Sequence, residues 1–405
     1  MKKLFLIVIV ILVIALGWFL LRGGEPAPSL EPNINGLPFG TGEDINIPGQ
    51  TNQEILPDTS NFNESAAGAK LLRLSSTPVA GVATFNQSTT TTVVRYAERA
   101  TGHIFDAVIR NGRVDKRRVT NNTLPKIYEA YFRSDGNAVL FRSLNTESEE
   151  IQNLSLALTP PRSTSTSTDS LYSISATSLR GEMDSILPGT GDILFYSLRD
   201  SNAIVSSTFS GANLRTILNS AFNNWRLSRA GNNLLVYTKA SAEAPGYAYI
   251  LNTSNGALNK ILGPLNGLTA VASANGTRVL YSYSSGSDTK LSVKNLQDNS
   301  SFEVLPATLA EKCVWSAREQ GTFYCGTPLN GLKGKEPDNW YLGRSHFSDY
   351  LWRFDSNNDV AKLIAEPKTD FGVDLDVYEP KLTPNEDYLV FINKSDLTLW
   401  ALRLE

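Results

Sequence analysis

From Lys70 onward the apolar positions fall in short runs, such as Thr92-Val-Val-Arg-Tyr96, Leu234-Leu-Val-Tyr237 and Tyr388-Leu-Val-Phe391, separated by clusters of Gly, Asn, Asp, Ser and Pro. Short alternating or continuous apolar runs bounded by turn residues predict β-strands, and no stretch predicts a long helix. One unit recurs: a short strand, a polar turn, then an apolar strand ending on an aromatic residue. Ser134-Asp-Gly136 before Val139-Leu-Phe141 shows it best, and the turn returns as Ser228-Arg-Ala-Gly231, Ser273-Ala-Asn-Gly276 and Thr383-Pro-Asn-Glu386. The aromatic ends are Tyr96, Phe141, Tyr196, Tyr237, Tyr281, Tyr324 and Phe391, which makes seven units at mostly 41 to 45 residues. In unit four all four strands are legible, at Asn224 to Ser228, Leu234 to Lys239, Tyr247 to Asn252 and Leu258 to Leu262. A unit of this length with four strands has the period of a propeller blade, and one blade cannot bury both faces without neighbours. A β-sandwich, the other candidate, has no reason to repeat one turn at one period. The predicted fold is an all-β, seven-bladed β-propeller of four-stranded blades over residues 70–405.

The two ends of that segment complement each other. Unit seven reaches Thr398-Leu-Trp-Ala-Leu-Arg403 as its third strand and lacks a fourth, whereas Ala69-Lys-Leu-Leu-Arg-Leu74 resembles the fourth strands Asn259-Lys-Ile-Leu262 and Ala361-Lys-Leu-Ile364. Lys70 to Ser75 is therefore expected to complete the last blade, which removes two open sheet edges at once. In unit six, a hairpin centred on Glu319 sets Cys313 opposite Cys325. Opposed residues of an antiparallel pair have Cβ atoms about 4.5–5.5 Å apart, so a disulfide is expected, with two buried thiols as the alternative.

Before the repeats, Leu4 to Leu21 is an uncharged apolar run, long enough as a helix to nearly cross a hydrocarbon core of about 30 Å. No small-x-small cleavage pattern precedes Arg22, so residues 1–22 read as a cytoplasmic stub and uncleaved signal-anchor rather than a removable leader. No cysteine lies near the run, which argues against a lipid anchor there. Lys2 and Lys3 precede the span, and the 47 residues Gly23 to Ala69 contain no Lys or Arg, so the N-terminus is expected to stay inside. Those residues 23–69 carry seven acids and many Pro, Gly and Asn, the composition of a disordered tether. Flexible-chain statistics give it a mean span of roughly 35–40 Å. The expected location is the cell membrane, with the C-terminal domain outside the cytoplasm, at the periplasm or cell surface.

Charge is balanced, 37 Lys and Arg against 40 Asp and Glu, without a basic run. That removes the footprint of a nucleic-acid binder. The two histidines, His103 and His346, sit in no metal or nucleophile signature, no Gly-x-Ser-x-Gly occurs and no calcium-loop spacing is found. No catalytic residue, metal or cofactor is assigned. The run Ser163-Thr-Ser-Thr-Ser-Thr168 reads as a solvated loop that lengthens unit two.

The Ser-x-Asp-Gly-like turn followed by an apolar strand ending in Phe or Tyr resembles the TolB-like, WD40-like (PD40-type) bacterial propeller repeat, over about Lys70 to Glu405. Most units lack the full Pro-Asp-Gly of that family, and unit six has Ser316-Ala-Arg-Glu-Gln-Gly321. The resemblance implies binding rather than catalysis. A partner site is suggested by length: the step from Tyr324 to Phe391 is 67 residues, and the excess lies between the second and third strands of unit six, Thr327 to Tyr350. In a four-stranded blade that loop emerges on the same face as the connections between blades, and loops on a rigid scaffold carry function. It holds Asp338, Trp340, Tyr341, Arg344 and His346, including types that dominate binding hot spots. The alternative is that Trp340 and Tyr341 pin the loop to its own blade. The leading expectation is a tethered scaffold that binds a protein or envelope polymer; the others are an enzyme acting on envelope glycans or peptides through acids in the ring mouth, and the structural head of a surface assembly.

Overall fold

The computed structural model describes residues 69–110, 112–145, 150–161 and 171–404. The expected span Leu4 to Leu21, the tether up to residue 68 and the Ser163 to Thr168 run lie outside the described residues. Among the described residues no helix is long and apolar enough to cross a membrane.

Alternating and apolar runs bounded by turn residues pair into seven antiparallel four-stranded sheets. In chain order, blade 1 is Val79–Ser88, Thr91–Glu98, Ile104–Arg110 and Arg113–Arg118, and blade 2 is Ile127–Phe132, Ala138–Leu144, Ile151–Thr159 and Ser173–Leu179. Blade 3 is Met183–Pro188, Ile193–Leu198, Ala203–Thr208 and Arg215–Asn219; blade 4 is Trp225–Ala230, Asn233–Thr238, Pro245–Leu251 and Leu258–Asn266. Blade 5 is Thr269–Ala272, Arg278–Ser285, Asp288–Asn295 and Ser301–Glu303; blade 6 is Cys313–Trp315, Thr322–Pro328, Asp349–Asp355 and Val360–Ala365. Blade 7 is Val377–Leu382, Tyr388–Asn393 and Leu399–Arg403, completed by Leu71–Arg73 from the start of the domain.

All seven aromatic ends lie on second strands, and all are buried. Second strands are covered on both faces because each blade packs on its neighbours: Leu235 and Tyr237 of blade 4 share a cluster with Ala270 and Val279 of blade 5, and Cys325 and Phe323 of blade 6 share one with Leu291 and Val293 of blade 5. The recurring turn has a backbone cause. Gly136 (φ 72°) and its counterpart Glu386 (φ 61°) both occupy the left-handed region, which glycine adopts without cost.

Blade 7 closes the ring as expected. Leu71, Leu72 and Arg73 pair with Leu402, Ala401 and Trp400, and Leu72 and Leu74 are fully buried. Thr84 Oγ1 donates to the Leu382 carbonyl (3.1 Å) and Lys381 Nζ to the Val82 carbonyl (2.6 Å), joining blade 7 to blade 1. The direction of the Leu71–Arg73 strand places Lys70 on the face of the strand 3–4 turns, here called the lower face. The 2–3 loops and blade-to-blade connections form the upper face.

Cys313 and Cys325 are opposed in the first hairpin of blade 6 and disulfide-bonded, with Cα atoms 4.1 Å apart. Alkylation under denaturing conditions is expected to add no label without reductant and two labels after reduction, read by intact mass; two labels before reduction would contradict the bond.

Candidate functional site

The first strand of each blade lines the ring's axis. Polar residues interrupt the apolar alternation of these strands, with Glu129 in blade 2, Asp184 in blade 3, Arg226 in blade 4 and Tyr378 and Glu379 in blade 7 in the upper halves, and Tyr131 of blade 2 and Lys381 of blade 7 nearer the lower ends. Arg142 and Tyr237, at the upper ends of second strands, and Glu311, just before blade 6, join them. The groups form a continuous polar lining. Tyr131 Oη donates to Glu129 Oε2 (3.0 Å), and Arg142 Nη1 donates to the same oxygen (2.5 Å) while its Nη2 donates to the Met183 carbonyl (2.6 Å). Arg226 Nη1 bonds Asp184 Oδ2 (3.1 Å). Glu311 accepts from Tyr237 Oη at 2.8 Å and from Tyr341 Oη at 2.7 Å, one phenol on each oxygen.

Burial sets the protonation of this mouth. It raises the Tyr237 and Tyr341 phenols well above their usual range, with Glu311 adding to the effect, so both remain hydrogen-bond donors. Tyr378 is raised first by the neighbouring Glu379 carboxylate and then by burial. Burial also pushes the Glu379 carboxyl up and the Lys381 ammonium down. Glu379 sits at φ 48°, within an irregularity of the pairing between Tyr378 and Lys381. A side chain at such a backbone angle is held there by its surroundings, and strained positions of this kind cluster at functional sites.

The insertion of blade 6, residues 329–348, covers this mouth from the upper face. It contains the short helix Asp338–Tyr341. Trp340 is 1% exposed, packed with Leu309 and Leu332, and its Nε1 donates to both oxygens of Asp376 (3.1 Å each). Asp338 Oδ2 accepts from the Ala242 amide of blade 4 (2.6 Å), and the Glu336 carbonyl accepts from Ser284 Oγ of blade 5 (3.1 Å). The loop is thus bound to blades 4, 5 and 7.

Beneath it lies a buried ionic cluster. Lys312 Nζ is fully enclosed, bonding Asp349 Oδ2 (2.7 Å), Asp376 and the Val377 carbonyl (3.2 Å), with the Trp340 and Phe347 rings about it at 5.0 and 5.2 Å. Asp376 also accepts from the Phe347 amide (3.2 Å), while Asp349 Oδ1 is buried without a partner. Asp349 is pushed up to about 6, first by burial and further by Asp376, against the pull of Lys312. Its folded value exceeds its unfolded one, so its contribution to stability is complete below about pH 4 and lost as pH rises through about 6. Asp349→Asn is expected to flatten the stability profile between pH 4.5 and 7; profiles that run parallel would contradict this origin.

Of the five residues that the sequence nominated for partner binding, the structure places two on the surface, Arg344 and His346. Tyr341 and Asp338 are half-buried and bonded to Glu311 and Ala242, and Trp340 is interior. Trp340 therefore pins the loop, and it is not presented to a partner. Its replacement by alanine is expected to cost about 3–5 kcal/mol by cavity formation, whereas Arg344→Ala should leave the urea midpoint in place; equal midpoints for the two variants would refute the assignment. The mouth residues and the Lys312 cluster were not nominated. Charged residues within first strands were the visible signal of the mouth; the Lys312 cluster had none. Among the described residues no group of three or more His, Cys, Asp or Glu is placed to hold a metal ion.

No protein-family model matches the chain, and no curated protein matches it in sequence. Solved structures share the fold. Oligogalacturonate lyase in complex with manganese aligns with a TM-score of 0.52 at 11% identity, over 85% of this chain and 95% of that one. The RRP9 WD40 repeats align at 0.52 and 9%, over 84% and 98%. TolB from Acinetobacter baumannii also aligns, at 0.39 and 13%, over 74% and 64%, too loosely to add to the argument. At such identities the likeness establishes the β-propeller fold alone.

Proposed function

We propose that this chain is a membrane-tethered, extracytoplasmic binding propeller that engages a protein or envelope polymer through its upper face. The observation that carries the reading is the coincidence of two features on that face: the pre-bonded polar mouth and the long insertion that is locked over it. Groups held rigidly before binding lose little entropy on binding. The chain enters the ring at Lys70 on the lower face, opposite the face proposed for binding. Among the described residues the carboxylates and phenols of the mouth are engaged in hydrogen bonds and ion pairs with one another, an arrangement suited to binding.

Crosslinking in intact cells followed by mass spectrometry tests the proposal. Intermolecular links are expected from Lys333 and Lys335 on the insertion and to be absent from lower-face lysines. A second reading, an enzyme of envelope glycans or peptides, is favoured by one observation, the half-buried Glu379 at φ 48° close to Glu129. It predicts turnover of such a substrate by the purified chain that Glu379→Gln abolishes; that result would displace the binding proposal.

A further inference from the structure

The insertion segregates its charges. Its acids face inward: Glu336 is 2% exposed and bonded to the Trp340 amide (2.9 Å) and Ser345 Oγ (2.6 Å), and Asp338 holds the Ala242 amide. Its bases face outward. Lys333, Arg344 and His346 are exposed, and Lys335 reaches across to Glu243 of blade 4. Beside Arg344, Leu342 is 64% exposed immediately after the helix that Trp340 and Tyr341 pin down, and Leu329 is 46% exposed at the loop's base. An apolar side chain held out on an anchored turn, in a loop whose two acids are bonded inward and whose Lys333, Arg344 and His346 are exposed, is a surface of defined chemistry. The loop's net positive outer side stands on a chain of net charge −3.

We infer that the partner at this site is a protein segment that sets Asp or Glu carboxylates against Arg344 and Lys333 and an apolar side chain against Leu342. The inference rests on the upper-face binding reading and supplies its partner's chemistry. Arg344 presents a planar fork of donors that takes a carboxylate by two parallel bonds, which gives orientation as well as attraction. Leu342 contributes by burial, and the exposed cations accelerate encounter in a salt-dependent way.

The test places a photo-crosslinking benzoylphenylalanine at position 342 of the full chain in its native membrane, with control positions at Leu214 on the lower face and Tyr128 beside the mouth. The expected product is a link from position 342 to a peptide rich in Asp and Glu, reduced at least tenfold by Arg344→Glu and by high salt, with the urea midpoint unchanged. A linked peptide that is basic or uncharged, or a yield indifferent to Arg344→Glu, overturns the acidic-partner inference and leaves upper-face binding intact. Linkage to a glycan or phosphate polymer, or to the chain's own residues 23–69, overturns it likewise. Linkage from position 214 alone, with none from 342 or 128, overturns the upper-face reading itself.

Discussion

Lys312→Ala is expected to lower the stability of the head by about 3–5 kcal/mol, because it leaves two buried carboxylates without their cation. Lys312 is fully buried between Asp349 and Asp376, and Asp376 in turn holds Trp340 and the Phe347 amide. Loss of the ammonium therefore also frees the insertion, which Trp340 fluorescence would report as a solvent-exposed indole. Combining Lys312→Ala with Asp349→Asn and Asp376→Asn should restore part of the loss, since neutral amides cost far less to bury than unpaired carboxylates. The measurement is urea unfolding at pH 7. A change below about 1 kcal/mol for Lys312→Ala would show that the cluster is not what holds the insertion, against the several kcal/mol that a broken buried pair costs.

Deleting residues 70–75 is the second large effect. It removes the fourth strand of blade 7, takes Leu72 and Leu74 out of the cluster shared with Val390 and Ala401, and opens the Leu399–Arg403 strand as a bare edge. Two fully buried leucines contribute roughly 1.5–3 kcal/mol each, and an open edge invites pairing with another chain. A fall in melting temperature with concentration-dependent aggregation is expected. Should the deleted chain fail to accumulate, Leu72→Ala gives a milder form of the same test, with an expected cost of about 2–5 kcal/mol. An unchanged midpoint would mean that the ring does not depend on this closure.

The fold was legible in the sequence because its determinants are local and repeated. A blade needs a turn with one left-handed residue and a buried second strand, and both leave marks at fixed spacing, as Gly136 and Phe141 or Glu386 and Phe391 show. Ring closure and the Cys313–Cys325 bond followed from counting strands and register. Lys312, Asp349 and Asp376 were not legible, because their meeting depends on where two blade connections and the end of the blade 6 insertion converge, and no spacing encodes that. The mouth was half legible: the polar interruptions Glu129, Asp184, Arg226 and Glu379 all stand in the first halves of first strands, yet they gain meaning only once those strands are known to line an axis. Trp340 was found with two readings open, partner contact or loop anchor, and the structure buries it. A large aromatic in a long loop looks the same in sequence whether it faces a partner or anchors the loop, and the presence of Asp376 beneath it decides the matter.

Labelling of single cysteine substitutions by a small membrane-impermeant maleimide in intact cells tests the central proposal most directly. The native cysteines are bonded to each other and do not compete. Leu342→Cys on the insertion and Leu214→Cys on the lower face are both exposed, at 64% and 62% for the native side chains. An extracytoplasmic propeller with an occupied upper face predicts labelling at both positions without lysis, markedly slower at 342 than at 214 in cells and equally fast at both in the purified chain. Labelling that appears only after lysis would contradict the location, and equal rates at the two positions in cells would contradict the binding face.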